Sequence, residues 1–132
     1  MKYIDKLRNS GLRPTKQRLQ ICEVLFDTEK TFHFTINELD QKIKKQKSNK
    51  ISLATIYNCL NQFTKHEILK SVRLSSDKIY FDTNTKGHHH FFCKSTEKLS
   101  DIKSSEVEIS SLPKIPKGKK LESVEVVVTI SD

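Results

Sequence analysis

Residues 52–65 read Ser52-Leu53-Ala54-Thr55-Ile56-Tyr57-Asn58-Cys59-Leu60-Asn61-Gln62-Phe63-Thr64-Lys65, and this stretch decides the fold. Ser52 is of the residue type that caps a helix N-terminus, because its hydroxyl can accept one of the backbone N–H groups left unpaired there. Ile56, Cys59, Leu60 and Phe63 recur at helical spacing and predict one apolar stripe on a helix over residues 53–65. Thr55, Tyr57, Asn58, Asn61 and Gln62 fall on the other faces. A helix with such a back and front suits the major groove of DNA. Asn58 and Asn61 can donate to and accept from base edges, and Tyr57 can lie against a thymine methyl. Any solvated helix can carry these residue types, so the flanking sequence has to decide.

Upstream, Thr35 with Glu38 three residues later forms a capping box ahead of a helix whose buried face is Ile36, Leu39 and Ile43. The polar run 44–50 reads as a loop. Arg13-Pro14-Thr15 opens an earlier helix running to about Asp27, with Leu19, Ile21, Cys22, Val24, Leu25 and Phe26 as its stripe. Residues 3–9 form a short helix that stops at Gly11. Downstream, strand-like runs 68–74 and 78–82 flank the turn Ser75-Ser76-Asp77 and read as a hairpin. Helices followed by a hairpin give the order of a winged helix-turn-helix, with the helix over 53–65 entering the groove. Lys16, Arg18 and Lys65 then serve as phosphate contacts.

Charge agrees with that reading. Residues 1–85 carry 16 Lys and Arg against 9 Asp and Glu, whereas residues 86–132 carry 8 against 7. A basic front half and a nearly neutral back half point to a polyanion meeting the front. No apolar run approaches the ~20 residues that span a bilayer, and the first residues lack a signal-peptide core, so a soluble, cytoplasmic chain with no membrane association is expected. The three cysteines, Cys22, Cys59 and Cys93, form no CxxC pair, which argues against a disulfide framework and a thiolate zinc clip.

After a joint at 83–87 (Thr-Asn-Thr-Lys-Gly) the chain turns to strands: His89 to Lys94, a weaker run near Leu99 to Ile102, and Val124 to Ile130. The domains expected are therefore 1–83, a hinge at 84–87, and 88–132. The last piece is too thin to bury a core alone, and a homodimer is the natural remedy. Its sharpest feature is His88-His89-His90. In a strand, His88 and His90 point together and His89 points the other way, so the outer pair can share one ion. Asp82 and Asp101 flank the triplet as possible oxygen ligands, and His33 lies at a helix–loop junction from which it could swing in. Haem is the other candidate occupant, since imidazole is a common axial ligand and Tyr80, Phe91 and Phe92 offer apolar surface.

Gly11-Leu12-Arg13-Pro14-Thr15-Lys16-Gln17-Arg18, Ser52-Leu53-Ala54-Thr55-Ile56-Tyr57-Asn58 and His88-His89-His90-Phe91-Phe92 occur in the order found in the ferric uptake regulator (Fur) superfamily, which the chain resembles over about residues 8–130. Tyr57-Asn58-Cys59-Leu60-Asn61-Gln62-Phe63 and Phe81-Asp82-Thr83-Asn84 resemble its iron response regulator (Irr) branch. The resemblance implies an α+β protein, with an N-terminal winged helix-turn-helix followed by a small α/β dimerisation domain, acting as a dimer on AT-rich operators. It implies DNA reading by Tyr57 and Asn58 with Lys16 and Thr55 in support, beside the Arg18 and Asn61 read from the helix patterns. It implies a first metal site at His33, Asp82, His88 and His90, and a second at His89, Asp101 and Glu108. In the Irr branch it implies haem at His88, His89 and His90.

Two departures bear on this. Many members carry paired CxxC zinc sites where only Cys93 remains here. Most place Arg after the helix tyrosine, where Asn58 stands.

The function expected is a DNA-binding regulator of iron and haem homeostasis that holds its operator when iron is scarce and releases it on haem. One alternative is a regulator activated by manganese or ferrous iron, with zinc a further possible ion. Another, of a different class, is a haem- or metal-buffering protein. An enzyme is not expected, since no placed nucleophile, HExxH helix or glycine-rich phosphate loop occurs.

Overall fold

The computed structural model describes residues 2–47, 50–74 and 77–132. Within it the chain divides into two compact units, Met1–Thr85 and Lys86–Asp132. The first holds α1 (Ile4–Asn9), α2 (Lys16–Phe26), β1 (His33–Phe34), α3 (Ile36–Gln46), α4 (Leu53–Lys65), β2 (Lys70–Arg73) and β3 (Ile79–Asp82).

Each long helix begins at a cap the residue types dictate. Thr15 and Ser52 accept from the N–H groups of Arg18 and Thr55. Thr35 and Glu38 form both halves of a capping box. The apolar stripes all turn inward: Leu19, Ile21, Cys22, Val24 and Leu25 of α2, Leu39 and Ile43 of α3, and Ile56, Cys59, Leu60 and Phe63 of α4 are buried in one core with Phe34, Ile68, Leu69 and Phe81. Gly11 ends the α1 region at φ +88°, a left-handed conformation that glycine adopts without strain, and the Leu12 N–H closes back on the Leu7 carbonyl at 2.8 Å.

Several features of the first unit differ from the sequence reading. The expected loop 44–50 begins later, because α3 continues through Lys44 and Lys45 to Gln46. Lys44 pairs with Asp40 one turn back at 3.0 Å, and Lys47 at the C-cap pairs with Glu23 of α2. The hairpin strands are shorter than 68–74 and 78–82, since Ile68 and Leu69 are spent on the core. Ser75 and Ser76 of the expected turn lie outside the described residues. Finally, His33 is not at a helix–loop junction. It lies in β1, which pairs antiparallel with β3, and the three strands run in the order β1-β3-β2.

The second unit holds β4 (His89–Cys93), β5 (Lys98–Ile102), a 3-10 turn (Ser104–Glu106) and β6 (Val127–Ile130). Its sheet runs β5-β4-β6, with β5 antiparallel and β6 parallel to β4. The 3-10 turn is its sole helical element among the described residues. Val124 to Val126 precede the regular strand, although the Val126 carbonyl already accepts from the His90 N–H at 3.1 Å. Phe92 and Ile102 are its buried apolar side chains, whereas Phe91, Ile109, Leu112, Ile115, Leu121, Val124, Val128 and Ile130 are exposed.

Candidate metal centre and nucleic-acid interface

In the first unit the β1–β3 register sets His33 directly opposite Asp82 and Phe34 opposite Phe81. The two phenyl rings stack at 5.6 Å and lock that register. Thr83 prolongs the pairing, its hydroxyl accepting from the Phe32 N–H at 3.0 Å. His33 Nε2 therefore stands 3.3 Å from Asp82 Oδ2. Asp82 is buried, and its other oxygen accepts from the Asn84 N–H at 2.8 Å, which aims Oδ2 at the imidazole.

In the second unit His90 pairs with Asp101 across the β4–β5 ladder. Cross-strand partners share a face, so Asp101 stands with His90 and with His88 two residues before it, while His89 takes the other face. The His88 and His90 rings lie 4.5 Å apart. Their Nε2 atoms lie 3.2 and 3.5 Å from Asp101 Oδ1. The family resemblance grouped Asp101 with His89 and Glu108, and the reading of the triplet offered it with Asp82 as a flanking oxygen ligand. The register sets it on the face of His88 and His90.

Hydrogen bonds fix the tautomers. His88 Nδ1 meets the Lys86 carbonyl at 2.7 Å and His90 Nδ1 meets Glu125 Oε1 at 3.0 Å. Both Nδ1 atoms must donate, because a carbonyl and a carboxylate only accept. In the neutral rings Nε2 then carries the lone pair. Two lone pairs converging on a carboxylate oxygen repel it unless a proton or a metal cation lies among them. The donor set of two imidazoles and a carboxylate, all within 4.8 Å of one another, fits a divalent zinc, iron or manganese ion. His89 is the opposite tautomer, since its Nδ1 accepts from the Val126 N–H at 2.9 Å. Glu108 is exposed beyond the 3-10 turn.

Glu125 was missed from sequence. Its signal was a lone acid inside the apolar run Val124 to Ile130, which has no reason to sit there unless it faces a partner.

The DNA residues expected from sequence divide by what they already hold. Tyr57, Asn58 and Asn61 stand exposed on α4, and Lys16 is exposed at the start of α2. Thr55 is partly spent on the cap, its Oγ1 accepting from the Ser52 hydroxyl at 2.9 Å. Arg18 donates to the Arg13 carbonyl at 2.9 Å, which orients its guanidinium across the start of α2. Thr15, Gln17, Arg18, Thr55, Asn58, Cys59 and Gln62 line an open cleft of about 240 Å³ between α2 and α4. Gln17 was given no role from the sequence, and Gln62 was placed only on the outer faces of the helix.

The thiols separate by environment. Burial pushes Cys22 and Cys59 up to about 12, consistent with inert members of the helix stripes. Hydrogen bonds from the Ser95 side chain, then from Thr96, lower Cys93 to about 7.

Residues 9–130 match the model of the ferric uptake regulator family. The chain belongs to that family. Among relatives of this Fur-family chain, the peroxide-responsive repressor PerR of Staphylococcus epidermidis is 35% identical over 99 residues, covering 75% of this chain and 64% of that protein. PerR of Staphylococcus aureus strain Mu50 matches at 35% over 99 residues, covering 75% and 65%. The chain thus spans just under two thirds of the length of these relatives. Two solved structures share its fold at low identity. The Pseudomonas aeruginosa ferric uptake regulator with manganese aligns at TM-score 0.78 and 20% identity, covering 100% of this chain and 98% of that one. The Vibrio cholerae regulator aligns at 0.74 and 21%, covering 99% and 100%. The Fur-like fold, a helix-rich N-terminal unit followed by a small second unit built on a sheet, is therefore the fold of this chain. No helix among its described residues is long and apolar enough to cross a membrane.

Proposed function

We propose that this Fur-family chain is a cytoplasmic, homodimeric transcription regulator that binds an AT-rich DNA operator in its metal-loaded form. One observation carries the metal reading. His88 and His90, tautomerically fixed by Lys86 and Glu125, converge with Asp101 as a ready donor set. The second unit contributes His88, His90 and Asp101 to the proposed site, and His33 and Asp82, which the family resemblance adds to it, pair with each other in the first unit. The occupant of the site is manganese, ferrous iron or zinc. A bound ion alters DNA affinity only by binding one arrangement of the protein more tightly than another. Tyr57, Asn58 and Asn61 are assigned to base edges, and Lys16, Arg18 and Thr55 to the backbone and the cleft. The homodimer is assigned to the second unit, whose apolar side chains are largely exposed.

The haem-released, Irr-type reading rests on Asn58 and on the Phe81-Asp82-Thr83-Asn84 motif. It has weaker support from geometry. His89 faces away from its neighbours, and the space among His88, His90 and Asp101 suits an ion rather than a macrocycle.

The deciding experiment is fluorescence anisotropy with a duplex that the protein itself selects from a random library. The protein is measured metal-free, with Mn²⁺ or Fe²⁺, and with haem. Tightening by metal and loss in chelator supports the proposal, whereas binding by the metal-free protein that haem abolishes installs the Irr-type reading. Failure to prefer any duplex leaves a metal-buffering protein. Adding hydrogen peroxide to the metal-loaded complex asks whether the response named for the PerR relatives extends to this chain.

A further inference from the structure

Between Glu108 and Glu122 the chain carries no acid, yet it holds Lys114, Lys117, Lys119 and Lys120, half of the Lys and Arg residues of 86–132. The near-neutral balance of the second unit therefore hides a polarised one. All four lysines are exposed. The segment lies in neither helix nor strand, but it is shaped. Pro113 and Pro116 stiffen it, and the Lys119 N–H closes a turn on the Pro116 carbonyl at 3.1 Å. Gly118 takes φ +81° at the turn's third position, where a left-handed residue is required. A solvated loop needs neither a fixed turn nor such segregation of charge.

From this segregation we infer that residues 112–121 form a second polyanion-binding element, whose partner is the phosphate backbone of duplex DNA. This rests on the DNA-binding reading above. Charge complementarity identifies the partner class, and the rest of the chain narrows it. Stable seating on an anionic membrane would call for a second anchor beside the lysines, an amphipathic helix or aromatic side chains. The segment is not helical, and no Phe, Tyr or Trp occurs after Phe92. The first unit carries a basic excess of its own, which points to nucleic acid as the polyanion. Lysines on a backbone held by prolines and a fixed turn serve phosphates without reading bases, and they add affinity rather than specificity.

The test compares wild type with the quadruple variant Lys114→Gln/Lys117→Gln/Lys119→Gln/Lys120→Gln and the charge-keeping quadruple Lys→Arg. Anisotropy is read from 50 to 250 mM salt on the selected duplex and on a scrambled duplex of equal composition. Each phosphate contact contributes about 0.9 to the slope of log affinity against log salt. The Gln variant should therefore lose up to about 3–4 of that slope per protomer on both duplexes, keep its preference between them, and bind Mn²⁺ as wild type does. The Arg variant should keep the wild-type slope. An unchanged slope in the Gln variant overturns the inference, as does a slope lost equally by the Arg variant. So does binding to phosphatidylglycerol vesicles that the Gln substitutions abolish while DNA binding is untouched. If wild type prefers no duplex, the operator reading fails, yet a slope change on scrambled DNA still upholds the loop.

Discussion

Glu125 shows how one side chain can set the chemistry of another. Its carboxylate holds the Nδ1 proton of the buried His90 at 3.0 Å, which keeps the Nε2 lone pair directed at Asp101. Carboxylate partners of this kind raise the basicity of a ligating imidazole, and losing one typically costs 10–100-fold in metal affinity. Glu125→Gln retains size and an oxygen acceptor but not the charge. It should weaken Mn²⁺ binding within that range, read by competition with a fluorescent chelator, while the thermal midpoint of the metal-free protein stays put. Wild-type affinity in this variant would show that Glu125 does not tune the ligand. His89, held by Val126 on the opposite face, has its own partner and its own tautomer.

At the scale of elements, helices begin where a side-chain oxygen replaces a missing backbone partner. In α3 the capping box satisfies two groups at once, the Glu38 N–H at 3.3 Å and the Thr35 N–H at 3.0 Å. Thr35→Ala should cost about 1 kcal/mol of unfolding free energy in urea titrations. A loss far below that would mean water replaces the cap at no penalty. The element also matters beyond its own stability, because β1 runs directly into Thr35 and carries His33 to its place opposite Asp82. Phe34 and Phe81 hold that register from inside the core, so the pairing of His33 with Asp82 is a by-product of how the hydrophobic residues alternate.

Across the whole molecule, the apolar surface is distributed unevenly. The first unit packs the stripes of three helices into one core, whereas the second buries Phe92 and Ile102 and leaves most of its large aliphatic side chains exposed. A unit of this size rarely sustains itself without another surface. If a second copy supplies it, folding is coupled to association and stability depends on concentration. The thermal midpoint should therefore rise as protein is concentrated over a hundredfold range, with sedimentation showing a dimer throughout the upper part. A concentration-independent midpoint with a monomer in the centrifuge would remove the homodimer from the proposal.

What the sequence determined by itself was whatever depends on nearest neighbours along the chain. Caps at Thr15, Thr35 and Ser52, the stripes of α2, α3 and α4, and the alternation that joins His88 to His90 are set by spacing of two to four residues, and the helix-then-hairpin order follows from them. The extension of α3 through Lys44 and Lys45 escaped because its support includes Glu23 on another helix. Tertiary structure alone decided which distant residues meet. His33 faces Asp82 across 49 positions because β1 pairs with β3, and the two-residue strand carrying it is too short to leave a periodic signal. Asp101 joins His88 and His90, and Glu125 reaches His90, because antiparallel and parallel registers bring β5 and β6 to the two edges of β4. Register is a property of pairs of strands, fixed by packing and backbone hydrogen bonds between segments far apart in the chain, and composition along one strand does not encode it.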